Sequence, residues 1–368
     1  MISITALGAV TSVGPDAVTT CASIRAGLSR PAPLDGAVVL DMEDYKEVPV
    51  IGHPAGAIAR GFSNVGRWLQ LAPVAVSDLC LSGALPTPPE DGAFWADTKC
   101  IVALPFLDER FLPDPNCSEE AIGAAFVKPF RAHVKGIFAP SEIAVHTRGR
   151  LGVLESLTTA REWISRRQAV RVVIVVVDSL VDSAAIEWLL EADRIKCDAN
   201  PIGLSPGEAA CAFLLEDSLV ANVRGRAAVA RLGSIATAPE PKAFLAGDMS
   251  QGEALARVIE KVLSERDADA SHTLTGPVIA DLNGEQWRSH EFGCAQVRVD
   301  RLLRNSDRLV LPVGSTGDAG TATLGIQIAV ACRALARGYA GGDSVLLTSS
   351  DERGLVGAAV ISSGSRSV

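Results

Sequence analysis

No apolar run in this chain approaches the length needed to cross a bilayer. The longest, Val172-Val-Ile-Val-Val-Val177 and Ser344-Val-Leu-Leu347, fit buried strands, and no membrane segment is expected. The first ten residues, Met1 to Val10, carry neither a basic head nor a sustained apolar stretch ending in small residues, so the expectation is no signal peptide and a cytoplasmic location. Eight cysteines (21, 80, 100, 117, 197, 211, 294 and 332) are present without a C-x-x-C pair, which argues against a zinc site and against a disulfide framework. A G-x-S-x-G elbow and a glycine-rich phosphate loop at a strand end are also missing, and neither a metal nor a cofactor is expected. Positive charge is in deficit too: 43 acids against 34 bases give a net charge of -9, which disfavours a nucleic-acid surface.

One stretch runs against that balance. Between Lys128 and Arg171 lie Lys128, Arg131, Lys135, Arg148, Arg150, Arg161, Arg166, Arg167 and Arg171, opposed only by Glu142, Glu155 and Glu162. The cluster reads either as a solvated face or as a dock for an acidic partner.

With 368 residues, 48% of them hydrophobic, the chain can build a large core. Ile2 to Val10 reads as a strand that turns at Thr11-Ser-Val-Gly14 into a helix capped by Asp16 and running to Leu28. Pro31 to Val50 reads as irregular, Val65 to Leu79 as a helix interrupted by a proline, and Thr98 to Leu104 as a buried strand. An excursion follows over about 105–140, with an amphipathic helix near Ser118 to Val134. Apolar residues at 153, 154, 157, 160 and 164 then predict a helix feeding the strand Val172 to Val177. Asp178-Ser-Leu turns into a helix through Leu190, and Ser205 to Leu215 supplies a further strand. The second series has a strand at Ala227 to Leu232, a helix from about Gln251 to Arg266, a strand at Pro277 to Leu282, the turn Asn283-Gly-Glu285, and a final antiparallel pair at Ser344 to Ser349 and Gly357 to Ser362. Each series places a long helix, an apolar strand, a short Asp-Ser or Ser-Asp turn and a strand of small residues in the same order. A duplicated α/β unit is the economical reading, divided as 1–217 and 218–368, with sheets buried on both faces.

Leu311-Pro-Val-Gly-Ser-Thr-Gly-Asp-Ala-Gly-Thr-Ala-Thr-Leu324 is built as an active-site loop. Gly314, Gly317 and Gly320 allow close backbone approach, and a long apolar helix starts at once and runs toward Arg337.

Taken in order, Ile4-Thr-Ala-Leu-Gly-Ala-Val-Thr-Ser-Val-Gly14, Val177-Asp-Ser-Leu180, Pro206-Gly-Glu-Ala-Ala210 and Ser315-Thr-Gly-Asp-Ala-Gly320 resemble the landmarks of the β-ketoacyl (3-oxoacyl-acyl-carrier-protein) synthases among the thiolase-like condensing enzymes. The resemblance covers most of the chain. It implies a five-layer αβαβα fold of two duplicated halves, a homodimer joined strand to strand, and work on acyl thioesters held by an acyl carrier protein. It also implies a catalytic cysteine at a helix N-terminus and two histidines.

None of the three falls on a matching residue. The cysteine position lands on Leu151, or on Arg150 if the helix is slid by one; the H-G-T-G-T motif is replaced by Asn283-Gly-Glu285; the histidine of S-x-T-G-H is Asp318. The lysine that precedes this second histidine in the family is Val313, which leaves Glu208 without its usual partner. Arg150, Leu151, Asn283, Glu285 and Asp318 therefore define a vestigial site, with Arg148, Gly149, Thr316 and Gly317 as candidates to line its pocket. An arginine and carboxylates brought together in a core must pair, so Arg150 or Arg148 is expected to bridge to Asp318 or Glu285. Asn283-Gly also reads as a type I′ turn, and Asp318 as a cap on the helix after it.

Two functions follow from this pattern. One is a synthase-like protein that has lost condensation, a pseudoenzyme or a chain-length-factor-like partner of an active synthase in fatty-acid or polyketide-type metabolism. The other keeps altered chemistry on thioesters or esters, as a water-using hydrolase or a decarboxylase, with Asp318 or Glu285 as base and Asn283 donating to an oxyanion.

Overall fold

The computed structural model describes residues 1–41, 45–88, 90–106, 119–265, 273–303, 306 and 308–364. Its strands are β1 (Ile2–Thr11), β2 (Ala32–Asp41), β3 (Lys46–Gly52), β4 (Thr98–Ala103), β5 (Glu142–His146) and β6 (Arg171–Ser179), followed by β7 (Glu208–Asp217), β8 (Ala230–Pro239), β9 (Val278–Ala280), β10 (Leu309–Val310), β11 (Ser344–Ser350) and β12 (Leu355–Ser363).

Ten strands run in the order β10-β9-β11-β12-β8-β1-β7-β6-β4-β5. The order is one five-strand pattern used twice. From the outer edge of each half come two parallel pairings, β5 with β4 and β4 with β6, or β10 with β9 and β9 with β11. Two antiparallel pairings then lead inward, through β7 to β1 and through β12 to β8. The halves meet where Ser3 and Ile4 pair with Arg231 and Ala230.

Three hydrophobic layers explain the order of helices and sheets. β6 shows how a continuous valine run serves two of them, because successive side chains leave opposite faces of a strand. Val172, Ile174 and Val176 enter the central layer, where they meet the helices Gly152–Ser165 and Ala322–Ala336. Val173, Val175 and Val177 enter an outer layer with Trp68, Phe126 and Phe130 from the helices Val65–Ser82 and Glu119–Val134. The second half has its own outer layer, with Val258 and Val262 of the helix Glu253–Ser264 against Phe292 of the helix Gln286–Arg298. This is the αβαβα arrangement of the thiolase-like fold. Every residue of Ala322–Ala336 except Arg333 and Ala336 is buried, as a helix held between the two halves of the ten-stranded sheet must be.

Several local readings change. Pro31 to Val50 is ordered as the antiparallel hairpin β2–β3, with Gly36 at positive φ (74°) inside it. The strand expected at Ala227 to Leu232 lies later, at β8, whose Gly-Ser-Ile-Ala-Thr-Ala segment lacks the apolar signal. β5 and Gln286–Arg298 carry no such signal either: the first is five residues long, and the second is rich in arginine, glutamine and histidine. Asp16 does cap its helix, accepting from Thr19 N at 2.7 Å, but that helix ends at Arg25. The expected excursion is described only outside 107–118, so Cys117 and Ser118 lie outside the described residues, as does Arg266.

Candidate functional site

Two central helices begin side by side, and their first turns carry the site. The chain leaves β5 through Thr147-Arg148 and turns at Gly149, where φ is 58° and the Phe106 ring occupies the space a Cβ would need. A 3-10 turn, Gly149–Leu151, then enters the helix Gly152–Ser165. The other helix is preceded by the short helix Val313–Thr316 and by Gly317 (φ 67°), which lies against the His53 ring. Asp318 N donates to Ser205 O and Gly207 N donates to Asp318 O, both at 2.8 Å, so the loop is fixed to the segment that feeds β7.

Arg150 and Asp318 meet across this gap. Nη2 of Arg150 donates to both carboxylate oxygens of Asp318, at 2.7 and 2.6 Å, and Nη1 donates to Gly320 O at 3.2 Å. Asp318 is fully buried. Burial alone would raise its pKa, but the Arg150 charge and hydrogen bonds hold the carboxyl well below the usual range. Burial likewise works against the Arg150 charge, and Asp318 and Glu352 overcome it.

The pair is one corner of a larger network. Asn283 Nδ2 donates to Asp318 Oδ2 at 2.7 Å and to Glu285 Oε2 at 2.8 Å, joining two carboxylates through one amide. Glu285 is forked by Arg194, at 2.7 and 2.9 Å. Glu352 lies within ion-pair distance of Arg150, Arg194 and Arg288, at 4.0, 3.5 and 3.3 Å. Against burial, these three arginines pull its carboxyl down to about 2. Arg288 closes the circuit on Asp281 at 3.1 Å and on the Ser350 carbonyl. Three guanidinium groups thus serve four carboxylates, supplied by the ends of β9 and β11 and by the two helix entrances.

The geometry chooses among the residues the sequence singled out. Arg150, Asn283, Glu285 and Asp318 come together. Arg148 is exposed and takes no part, and Leu151 turns into the central core, where Gly357 leaves room for it. Thr316 is buried, its hydroxyl donating to Pro312 O and Gly317 O. Asn283-Gly is no type I′ turn, since only Gly284 takes positive φ (104°). Nor does Asp318 cap the helix in the expected way: its Oδ1 accepts from Gly320 N at 2.9 Å and Thr323 Oγ1 at 3.2 Å, ahead of and within the first turn. Arg194, Arg288, Glu352 and Asp281 were not legible as site residues. Arg194 and Glu352 sit in charged turns far from Asp281 and from Arg288 in the helix Gln286–Arg298, and only the crossing of the strand ends brings them together.

The surroundings of Asp318 and Glu285 do not favour the altered-chemistry reading. A base needs a carboxyl raised toward neutrality, and this one is held far below. Both oxygens of Glu285 are engaged by Arg194 and Asn283, and the Asn283 amide is spent on carboxylates, leaving it no hydrogen for an oxyanion.

Other candidate groups stand apart. Glu208 has a partner after all: Arg67 forks it at 3.0 and 3.1 Å, with Ser179 Oγ and Ala55 N donating as well. His146 lies 3.0 Å from Ser156 Oγ, and His290 packs by Gln251 and Cys294. Buried Cys21, Cys100, Cys211 and Cys332 are inert thiols pushed up by desolvation, Cys21 to about 12. Among the described residues no His, Cys, Asp and Glu group is arranged to hold a metal ion.

A cavity of about 310 Å³ opens against the network, with Arg194 and Glu285 on one wall and Ile202, Phe244, Met249 and Trp287 on the other. Phe244 and Trp287 stack at 5.1 Å, and the Arg194 guanidinium lies 5.3 Å from the Phe244 ring.

No known family model matches the chain, and no curated protein sequence matches it. Solved structures do. A type II PKS acyl-carrier protein in complex with its ketosynthase bound to the hexaketide aligns over 98% of this chain and 99% of that one, at 16% identity and a TM-score of 0.77. The ishigamide ketosynthase/chain length factor aligns over the same shares, at 18% identity and 0.68. The ketosynthase from module 6 of the bacillaene synthase from Bacillus subtilis 168 aligns over 100% of this chain and 73% of that one, at 11% identity and 0.73. At these identities the likeness establishes the fold, which is that of ketosynthases and chain length factors.

Proposed function

We propose that this chain is a ketosynthase-like subunit that does not condense, and that it acts beside an acyl carrier protein or an active synthase in the manner of a chain length factor, in polyketide- or fatty-acid-type metabolism. The observation that carries the reading is the Arg150–Asp318 fork, buried at the first turn of the helix where a nucleophile would stand. A guanidinium held above its normal range cannot release a proton or attack a carbonyl. A carboxylate clamped on that arginine cannot stand in for an imidazole.

Two surface features support the partner role. Lys128, Arg131 and Lys135 are exposed on or just past the helix Glu119–Val134, spaced so that they share one side. Arg150 and Arg171 leave the basic cluster, turned inward to Asp318 and Glu216, so the surface that would meet an acidic carrier is smaller than the sequence suggests. β5 lies at the outer edge of its half-sheet, and we place the contact with a second copy or a synthase subunit along it.

The test is carbon dioxide release and carbon–carbon bond formation from malonyl and acyl thioesters on an acyl carrier protein. The expected result is no turnover above the protein-free background, together with co-elution with a carrier protein or a synthase subunit. Turnover that an Asn283→Ala variant of native-like circular dichroism abolishes would overturn the reading.

A further inference from the structure

We propose that a second pocket, at the end of the molecule away from the charge network, binds an amphipathic carboxylate: an aliphatic body with one anionic head. It lies by the last turn of the helix Ala322–Ala336, roughly 20 Å from that helix's start at 1.5 Å per residue. Its volume is about 440 Å³, within the usual range of small-molecule sites, about 300–1,000 Å³. The floor is apolar, formed by residues such as Ile24, Ile279 and Val330, and Leu309 beside it is 46% exposed. Cys21 in the floor keeps its proton, its thiol pushed up to about 12 by burial, and so adds no negative charge.

The polar groups on the rim are cationic. The Arg25 guanidinium lies over the Tyr339 ring at 4.2 Å, and Arg308 Nη1 donates to Tyr339 O at 3.1 Å, so one tyrosine positions both. Arg333 and Arg337 lie outside the lining; their charges reach the Tyr339 hydroxyl, and that of Arg333 reaches Asp78 as well. Among the described residues none of these four arginines pairs with a carboxylate, and no carboxylate lines the pocket. In a chain of net charge -9 that grouping runs against composition.

Helix ends account for part of it. Arg25 and Arg333 lie in the last turns of their helices, where cations complement the macrodipole. Two such ends supply roughly one negative charge in all, about half a charge each. Of the two arginines that line the pocket, Arg25 answers its own helix end and Arg308 belongs to no helix. An apolar floor under a rim that bears two guanidinium groups and, among the described lining residues, no carboxylate selects a ligand that is apolar at one end and anionic at the other.

The chain has two tyrosines, Tyr45 and Tyr339, and this makes the site directly readable. Protein labelled with 3-fluorotyrosine gives two fluorine resonances, assigned with Tyr45→Phe. Titration with decanoate below its micelle concentration is expected to move the Tyr339 signal saturably and leave Tyr45 in place. Decanol, with the same chain and no charge, is expected to bind at least about tenfold more weakly, a difference of about 1.4 kcal/mol. The double variant Arg25→Ser/Arg308→Ser, altered at two exposed positions, should lose a similar factor for decanoate alone. No saturable shift up to about 1 mM decanoate, equal binding of decanol, or undiminished affinity in the double variant would each overturn the proposal. The decanol comparison uses the unaltered protein and so holds even if the variant misfolds.

Discussion

The two central helices are counterparts in a duplicated fold, yet their entrances are built from opposite charges. Before Ala322–Ala336 stands Asp318, an acid near a helix N-terminus, where the positive end of the macrodipole and the Gly320 and Thr323 donors favour it. Before Gly152–Ser165 stands Arg150, a cation near the same kind of helix end, where the dipole opposes it. One entrance is favourable by itself and the other is tolerable only because its counterpart faces it. The fork between them therefore ties the halves together at the point where the resemblance puts the reaction site of a condensing enzyme.

The strongest way to break this comparison is Arg150→Ala. It strands a fully buried carboxylate, and a loss of about 3–5 kcal/mol is expected, read from urea unfolding at neutral pH. Replacing both partners, as Arg150→Met with Asp318→Leu, should cost markedly less, because no unpaired charge remains inside. If Arg150→Ala costs under about 1 kcal/mol, the two entrances are not coupled as described. Acid has a predictable effect too. Asp318 and Glu352 are held below their unfolded values, so their contribution is complete above about pH 5 and is lost as the pH falls toward the folded values.

A smaller effect sharpens the contrast along one turn. Glu352 is pulled down to about 2, whereas its neighbour Asp351 is pushed up to about 6 by burial, its paired Leu355 and Arg353 amides only partly offsetting this. The sign for Asp351 is the reverse of that for Glu352. Folded Asp351 keeps a proton that the unfolded chain releases near pH 4, so its contribution is present below that pH and is lost as the pH rises to about 6. Asp351→Asn should flatten the stability curve over that window by about 2–3 kcal/mol relative to the parent. Parallel curves for the two proteins would show that Asp351 titrates normally.

These charges also show where sequence reading reaches its limit. The αβαβα fold was legible because apolar strands, long helices and small-residue strands recur in the same order in both halves, and β6 carries its two-faced burial openly in Val172–Val177. Asp318, Asn283, Glu285 and Arg150 were legible because each stands at a landmark where the resemblance requires a different residue. Arg194, Arg288 and Glu352 were not, since nothing in a charged turn or a polar helix tells a solvated charge from one that the crossing of two strand ends will bury. The hairpin β2–β3 was lost for a related reason: its prolines and Gly36 read as loop, and its pairing is visible only across the turn.

Arg148 and Arg150 give the finest test. Two residues apart in sequence, they were interchangeable as partners for Asp318, and the positive φ of Gly149 between them separates their fates. The turn sends Arg150 into the core, 6% exposed, and leaves the Arg148 guanidinium on the surface without a side-chain hydrogen bond or an ion pair among the described residues. Arg148→Ala should therefore change stability by no more than about 0.5 kcal/mol, the ordinary range for a surface substitution. Thermal unfolding of the Arg148 and Arg150 alanine variants side by side makes the comparison internal. A loss at Arg148 approaching that at Arg150 would mean that either arginine can reach Asp318, and that Gly149 does not fix which one enters the site.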